Sequence, residues 1–145
     1  MKQVKRALVS VVMMTTSLLT TVSSATLAAT LKIMPLGDSI TDTLIHRGSL
    51  YFDLKEENID FEFVGTQGNE PLKHEGRPGI TIDGIVNNEA WNKSDTPDII
   101  LLMAGVNDFI QQGDSSIKAV TELQELYLQI LEDLPNVELY VASAS

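Results

Sequence analysis

Three short segments hold the side chains most able to do chemistry: Gly37-Asp38-Ser39, His74-Glu75-Gly76-Arg77-Pro78-Gly79 and Gly105-Val106-Asn107-Asp108. A serine hydroxyl is a weak nucleophile at neutral pH, and it becomes a useful one when a general base lies within hydrogen-bond reach and a third group orients that base. Nucleophilic catalysis through Ser39 is therefore the chemistry to weigh first. A lone Gly-Asp-Ser is also ordinary turn composition, in which the serine caps a helix or hydrates a loop. Asn107 and Gly79, taken singly, read as turn and loop residues. What raises the functional reading is the occurrence of all three segments in this order. The chain has no cysteine, which excludes a thiolate nucleophile, a thiolate metal site and a disulfide framework, and its only histidines are His46 and His74.

The elements that must position these residues follow from the hydrophobic pattern. Leu31 to Leu36 reads as a short buried strand running straight into the Gly37-Asp38-Ser39 turn. Ser49 to Glu57 is compatible with a short helix, with Leu50, Leu54 and Tyr51 or Phe52 as its apolar positions. Asp60 to Thr66 alternates as a second strand, and a polar loop containing Gly and Pro follows. Thr81 to Trp91 spaces Ile82, Ile85, Val86 and Trp91 as a helix, with Thr81 placed to cap it. Ile99 to Met103 is a continuous apolar run, the pattern of a parallel strand covered on both faces. From Ser116 to Leu134, Ile117, Val120, Leu123, Tyr127, Ile130, Leu131 and Leu134 form the clearest amphipathic stripe, and Val137 to Ala142 is a fourth strand. Strand and helix alternate, which predicts an α/β domain with a mostly parallel sheet. In such sheets reactive groups gather at the carboxyl ends of the strands, where the Ser39 and Asn107 turns both fall.

Composition narrows the partners. With 20 acidic against 10 basic residues the formal charge is −10, which is the wrong sign for nucleic acid or acidic membranes. Lys2, Lys5 and Arg6 precede an uncharged stretch from Ala7 to Leu31 that ends among small residues, the layout of a secretory signal peptide. The expected organisation is a leader over residues 1–29 and one domain over residues 30–145. Removal of the leader leaves 7 basic against 20 acidic residues, a charge of −13, which suits a soluble extracellular protein acting on neutral substrates.

On the segments Lys32 to Asp42, His74 to Asp83 and Pro97 to Asp108, the chain resembles the SGNH (GDSL-type) hydrolases, and within them the acetylxylan-esterase-like family three carbohydrate esterases. The similarity extends over residues 31–145. It implies a three-layer αβα, flavodoxin-like fold and a serine esterase whose nucleophile is Ser39. The oxyanion hole implied is the N–H of Ser39, the N–H of Gly79 and the side-chain amide of Asn107. These types suit that task, since glycine lets the backbone approach a bound acyl group and an asparagine amide donates while staying neutral. Asp38 and Asp108 read as structural carboxylates that accept backbone N–H bonds and lock their turns, and neither is the triad acid. The implied substrate is an acylated polysaccharide such as xylan or another small ester, with neither metal nor organic cofactor. No stable membrane association is expected once the leader is gone.

The base and its partner come, in that family, from an Asp-x-x-His segment after a further strand, and no Asp-x-x-His occurs in these 145 residues. Neither His46 nor His74 matches the catalytic histidine. The expectation is a domain whose C-terminal part is missing and whose isolated turnover is small, with its last strand as an exposed edge over a partly uncovered face. The remaining departures are Thr43, where a glycine often stands, and Tyr51-Phe52, where a Tyr-Arg pair is common. Alternatives are a non-catalytic carbohydrate- or ester-binding remnant, and a lysophospholipase or other GDSL esterase.

Overall fold

The computed structural model describes residues 29–143. All of the expected leader except Ala29 therefore lies outside the described residues. Strand β1 (Leu31–Gly37) is the centre of the sheet, and it pairs in parallel with β2 (Phe61–Phe63) on one side and β4 (Ile99–Ala104) on the other. Strand β5 (Glu138–Ser143) adds in parallel to β4, and the two-residue β3 (Glu75–Gly76) pairs with the carboxyl end of β1. The order β2-β1-β4-β5 brings the ends of β1 and β4 side by side, with Gly37 opposite Met103. The expected α/β class with a parallel sheet is what forms.

Helix α1 (Ser39–Asp42) and helix α2 (Leu44–Glu56) follow β1, while α3 (Ile82–Asn87) and a 3₁₀ turn (Ala90–Asn92) precede β4. A π-helical turn (Asp108–Gln112) and α4 (Ser116–Asp133) lead to β5. One core lies where Met34, Leu36, Ile100 and Leu102 meet Ile85, Trp91, Leu126 and Ile130. On the opposite face Ile33, Phe61 and Phe63 pack beneath Leu50, Tyr51 and Leu54 of α2, with the Tyr51 and Phe61 ring centroids 5.5 Å apart in an edge-on arrangement. Each fully buried Leu or Ile here contributes about 1.5–3 kcal/mol. Helices therefore lie on both sides of the sheet.

The structure departs from the sequence-based expectations at several points; the helix expected over Thr81–Trp91, for one, stops at Asn87, and Glu89 at φ +43° separates it from the 3₁₀ turn that holds Trp91. Ser39 is the first residue of a one-turn helix rather than a loop residue. Helix α2 begins at Leu44, so His46 and Arg47 stand on a helix; Gly48, a poor helix former in its interior, hides this continuity in the sequence. The apolar run of β4 is covered evenly on only one face: Ile100, Leu102 and Ala104 are buried, but Ile99, Leu101 and Met103 only partly so. Helix α2 sits over β1 and β2, which leaves the β4–β5 side of that face open. The stripe on α4 also divides. Ala119 and Leu126, which the expected stripe leaves out, turn to the core with Ile130, whereas Ile117 and Val120, which it includes, are 81% and 62% exposed. Val120, Leu123, Tyr127 and Leu131 line a groove beside Leu139 and Val141 of β5, and that groove is open to solvent.

Candidate active site

Strand β1 delivers Ser39 by way of two residues with fixed duties. Gly37 has φ of +154°, and a Cβ built there would stand 1.9 Å from the Met103 carbonyl oxygen, so only glycine lets β1 and β4 approach this closely. Asp38 is fully buried and caps α1, its Oδ1 accepting the Ile40 N–H at 2.9 Å, while its own N–H donates to Met103 O at 3.4 Å. Among the described residues Asp38 Oδ2 has no hydrogen-bond partner. Ser39 itself is exposed at the start of α1, and no described side chain hydrogen-bonds its hydroxyl.

The second turn is Arg77-Pro78-Gly79-Ile80, closed by the Ile80 N–H donating to Arg77 O at 3.2 Å. Proline at its second position and Gly79 at φ +77° at its third meet the demands of a type II turn. The Arg77 N–H donates to Gly37 O at 2.9 Å, which ties this turn to the end of β1. The third turn joins in turn: Asn107 Nδ2 donates to Ile80 O at 2.8 Å, and Gln111 Nε2 donates to Gly79 O at 3.0 Å and to Asn107 Oδ1 at 3.1 Å. An amide nitrogen carries two N–H groups. Asn107 thus spends one on holding the Gly79 turn, and among the described residues the other has no acceptor. Asp108, fully buried, receives the Ile82 N–H at 3.0 Å and fastens the same turn to the start of α3. Burial pushes the Asp108 carboxyl above its ordinary pKa, against the lowering effect of that N–H. The segments around Ser39, Gly79 and Asn107 are therefore one hydrogen-bonded assembly at the carboxyl ends of β1 and β4.

Neither histidine is joined to Ser39. His74 is buried, and its Nδ1 accepts the Gly76 N–H at 3.0 Å, which assigns the ring proton of the neutral form to Nε2. That Nε2 faces Asp42 Oδ1 at 3.7 Å. Burial, with the Arg47 charge adding to it, pushes the His74 pKa below its ordinary value, and Nδ1 is taken up by the Gly76 N–H. His46 is exposed on α2 and lines a cleft of about 260 Å³ together with Ile40, Thr41, Leu101, Met103 and Tyr140. No hydrogen bond links it to the serine among the described residues.

Two buried charged residues escaped the sequence reading. Arg47 lies under α1 and donates to the carbonyls of Leu72 at 3.1 Å, Thr43 at 3.3 Å and Thr41, closing off the carboxyl end of the helix that begins with Ser39. Glu75 accepts the Thr66 N–H at 2.8 Å, the Thr66 hydroxyl at 2.7 Å and Arg77 Nε at 3.0 Å, and so fixes the strand that leads into the Gly79 turn. The Glu75-x-Arg77 spacing within the middle segment was a usable signal for the latter pair. For Arg47 the sequence offered none.

Residues 33–144 match the family described as GDSL-like Lipase/Acylhydrolase. No curated protein sequence matches the chain. Among solved structures, a family 3 carbohydrate esterase of Clostridium thermocellum is 35% identical with a TM-score of 0.68, covering 77% of this chain and 60% of that one. A carbohydrate esterase family 3 protein from Talaromyces cellulolyticus superimposes with a TM-score of 0.70 at 22% identity and the same coverage, a likeness of fold. The chain thus spans about 60% of the length of these relatives. With the match running through nearly every described residue, and through all three turns, this chain belongs to the GDSL-like lipase/acylhydrolase family.

Proposed function

We propose that this chain supplies the nucleophile and oxyanion donors of a secreted serine esterase that removes acetyl or other small acyl groups from a polysaccharide such as xylan. The observation that carries this is the cross-linked assembly of turns: Arg77 to Gly37, Gln111 to Gly79 and Asn107 to Ile80. Ser39 Oγ attacks the ester carbonyl, and the negative charge that develops on the carbonyl oxygen is met by the N–H groups of Ser39 and Gly79 and the unengaged N–H of Asn107. One such donor is typically worth 10²–10³ in rate, about 3–4 kcal/mol. Collapse expels the sugar hydroxyl and leaves an acyl-Ser39, which water hydrolyses to acetate and free serine. Similarity to the Clostridium thermocellum esterase supports a carbohydrate ester as substrate.

The Ser39 proton needs an acceptor, and among the described residues no side chain hydrogen-bonds its hydroxyl, His74 being buried with its Nδ1 taken up by the Gly76 N–H. Residues 30–145 alone are accordingly inactive or nearly so in this reading, and the base belongs to an Asp-x-x-His segment of the kind the family uses. Export rests on the basic start and uncharged stretch before Lys32. No described helix is long and apolar enough to cross a membrane.

The test is acetate release from acetylated xylan by protein expressed from its full coding sequence, beside the Ser39→Ala variant. The reading expects release that Ser39→Ala lowers by at least about a thousandfold. Equal rates from the two proteins would remove Ser39 from the mechanism. Faster cleavage of a lysophospholipid than of acetylated xylan would move the substrate class. Saturable binding of acetylated xylooligosaccharide without any acetate release would favour a non-catalytic binding module.

A further inference from the structure

The turn that carries Asn107 also adjoins a cluster of acidic side chains. Asp108 from the π-helical turn, Asp114 from the loop after it and Glu122 from α4 each place a carboxylate oxygen within 4.8 Å of the others. Lys118 answers part of this charge, its ammonium donating to Asp114 Oδ1 at 2.7 Å and lying 3.0 Å from Glu122 Oε1. The remaining oxygens are not answered. Asp114 Oδ2 and Glu122 Oε2 are both buried with no hydrogen-bond partner among the described residues, and the Asp114 side chain is only 7% exposed. A buried carboxylate oxygen without a donor is costly. Two of them, beside a third buried carboxylate, point to a positive group in addition to the single lysine.

We propose that Asp108, Asp114 and Glu122 bind a calcium ion that braces the Asn107 turn against α4. The donors are hard oxygens without histidine or cysteine, which selects Ca²⁺ or Mg²⁺ over transition metals. Two oxygens bound to one Ca²⁺ at 2.3–2.6 Å stand no more than about 5 Å apart, a span that the three carboxylates satisfy. Calcium also tolerates an irregular shell completed by water, whereas Mg²⁺ demands near-octahedral geometry and parts reluctantly with its own waters. Asp108 is the link to the esterase site, because its carboxylate holds the Ile82 N–H and its neighbour Asn107 holds Ile80. The ion takes no part in ester cleavage, and the inference stands whether or not Ser39 is a nucleophile.

The test is calorimetric titration of the chelator-treated full chain with CaCl₂, accompanied by melting curves. Saturable binding is expected at half-saturation of about 0.1–1 mM, the range of extracellular calcium modules, with a rise in melting temperature. Asp114→Asn is expected to weaken binding at least tenfold. Lys118→Met removes the competing ammonium, so it is expected to melt lower without calcium and to bind calcium at least tenfold more tightly than the parent protein. No saturable binding up to 10 mM Ca²⁺ in either the parent protein or Lys118→Met overturns the proposal and leaves Lys118 as the sole counter-charge. Saturation by Mg²⁺ but not by Ca²⁺ overturns the choice of ion.

Discussion

Replacing Arg47 with methionine tests whether the helix that begins with Ser39 is held from below. The guanidinium donates to three carbonyls, and for those of Thr41 and Leu72 no other donor exists among the described residues. Leaving a fully buried carbonyl unpaired costs about 1–3 kcal/mol, so these two, which are part-buried, set an upper limit of about 2–6 kcal/mol. Removing a charge that is 95% buried returns part of its desolvation penalty, and the methionine chain refills much of the volume. The guanidinium is weakly hydrated to begin with, which keeps that return small. A net loss of about 2–4 kcal/mol remains, equivalent to a fall in melting temperature of roughly 6–20 °C for a folded unit of this size. Urea unfolding followed by far-ultraviolet circular dichroism measures the first quantity and a thermal scan the second. Arg47→Lys should fall nearly as far, because an ammonium cannot reproduce the fork. A methionine variant within 0.5 kcal/mol of the parent would show that relief of the buried charge equals the carbonyl bonds, and the clamp would then contribute no stability.

Two further outcomes follow from the same geometry. Gly37→Ala forces a methyl group to 1.9 Å from the Met103 carbonyl, so β1 and β4 must part at their carboxyl ends. A loss of about 3 kcal/mol or more in urea unfolding is expected, and a variant that melts within 2 °C of the parent would contradict it. For His74 the folded-state pKa is depressed by burial, so between that value and the unfolded value of 6.5 the unfolded chain binds more protons. The stability contributed by the neutral ring is complete above 6.5 and is lost as pH falls through this window. Comparing unfolding free energies at pH 7.5 and 5.5, the parent should lose more than His74→Gln, and parallel slopes would refute the assignment.

Much of this arrangement was legible before any coordinates. Strands announced themselves through apolar runs at Leu31–Leu36 and Ile99–Met103, and Thr81 signalled the start of α3, whose Gly84 N–H its hydroxyl indeed accepts. Three turns of matching composition marked the carboxyl ends of the sheet. What stayed hidden depended on contacts between distant residues. The two-residue β3 is a strand only because Glu75 and Gly76 find the end of β1, and nothing local requires it. The carbonyls that Arg47 serves lie at Thr43, Thr41 and Leu72, 4, 6 and 25 residues away, and the last of these is a contact that no local pattern announces. Periodicity on α4 found the helix but passed over Ala119 and Leu126, which face the core, in favour of Ile117 and Val120, which are exposed, because hydrophobicity alone does not say which apolar side chains meet the sheet.

The three turns are pinned to one another chiefly through main-chain oxygens, those of Gly37, Gly79, Ile80 and Met103. A main-chain oxygen is present whatever residue stands at its position. The side chains of Val106, Phe109 and Ile110, which belong to the Asn107 turn, take no part in these bonds. Substitution at these places leaves intact the bonds that pin the turns, so the backbone around Ser39, Gly79 and Asn107 can keep its shape while the side chains beside it vary.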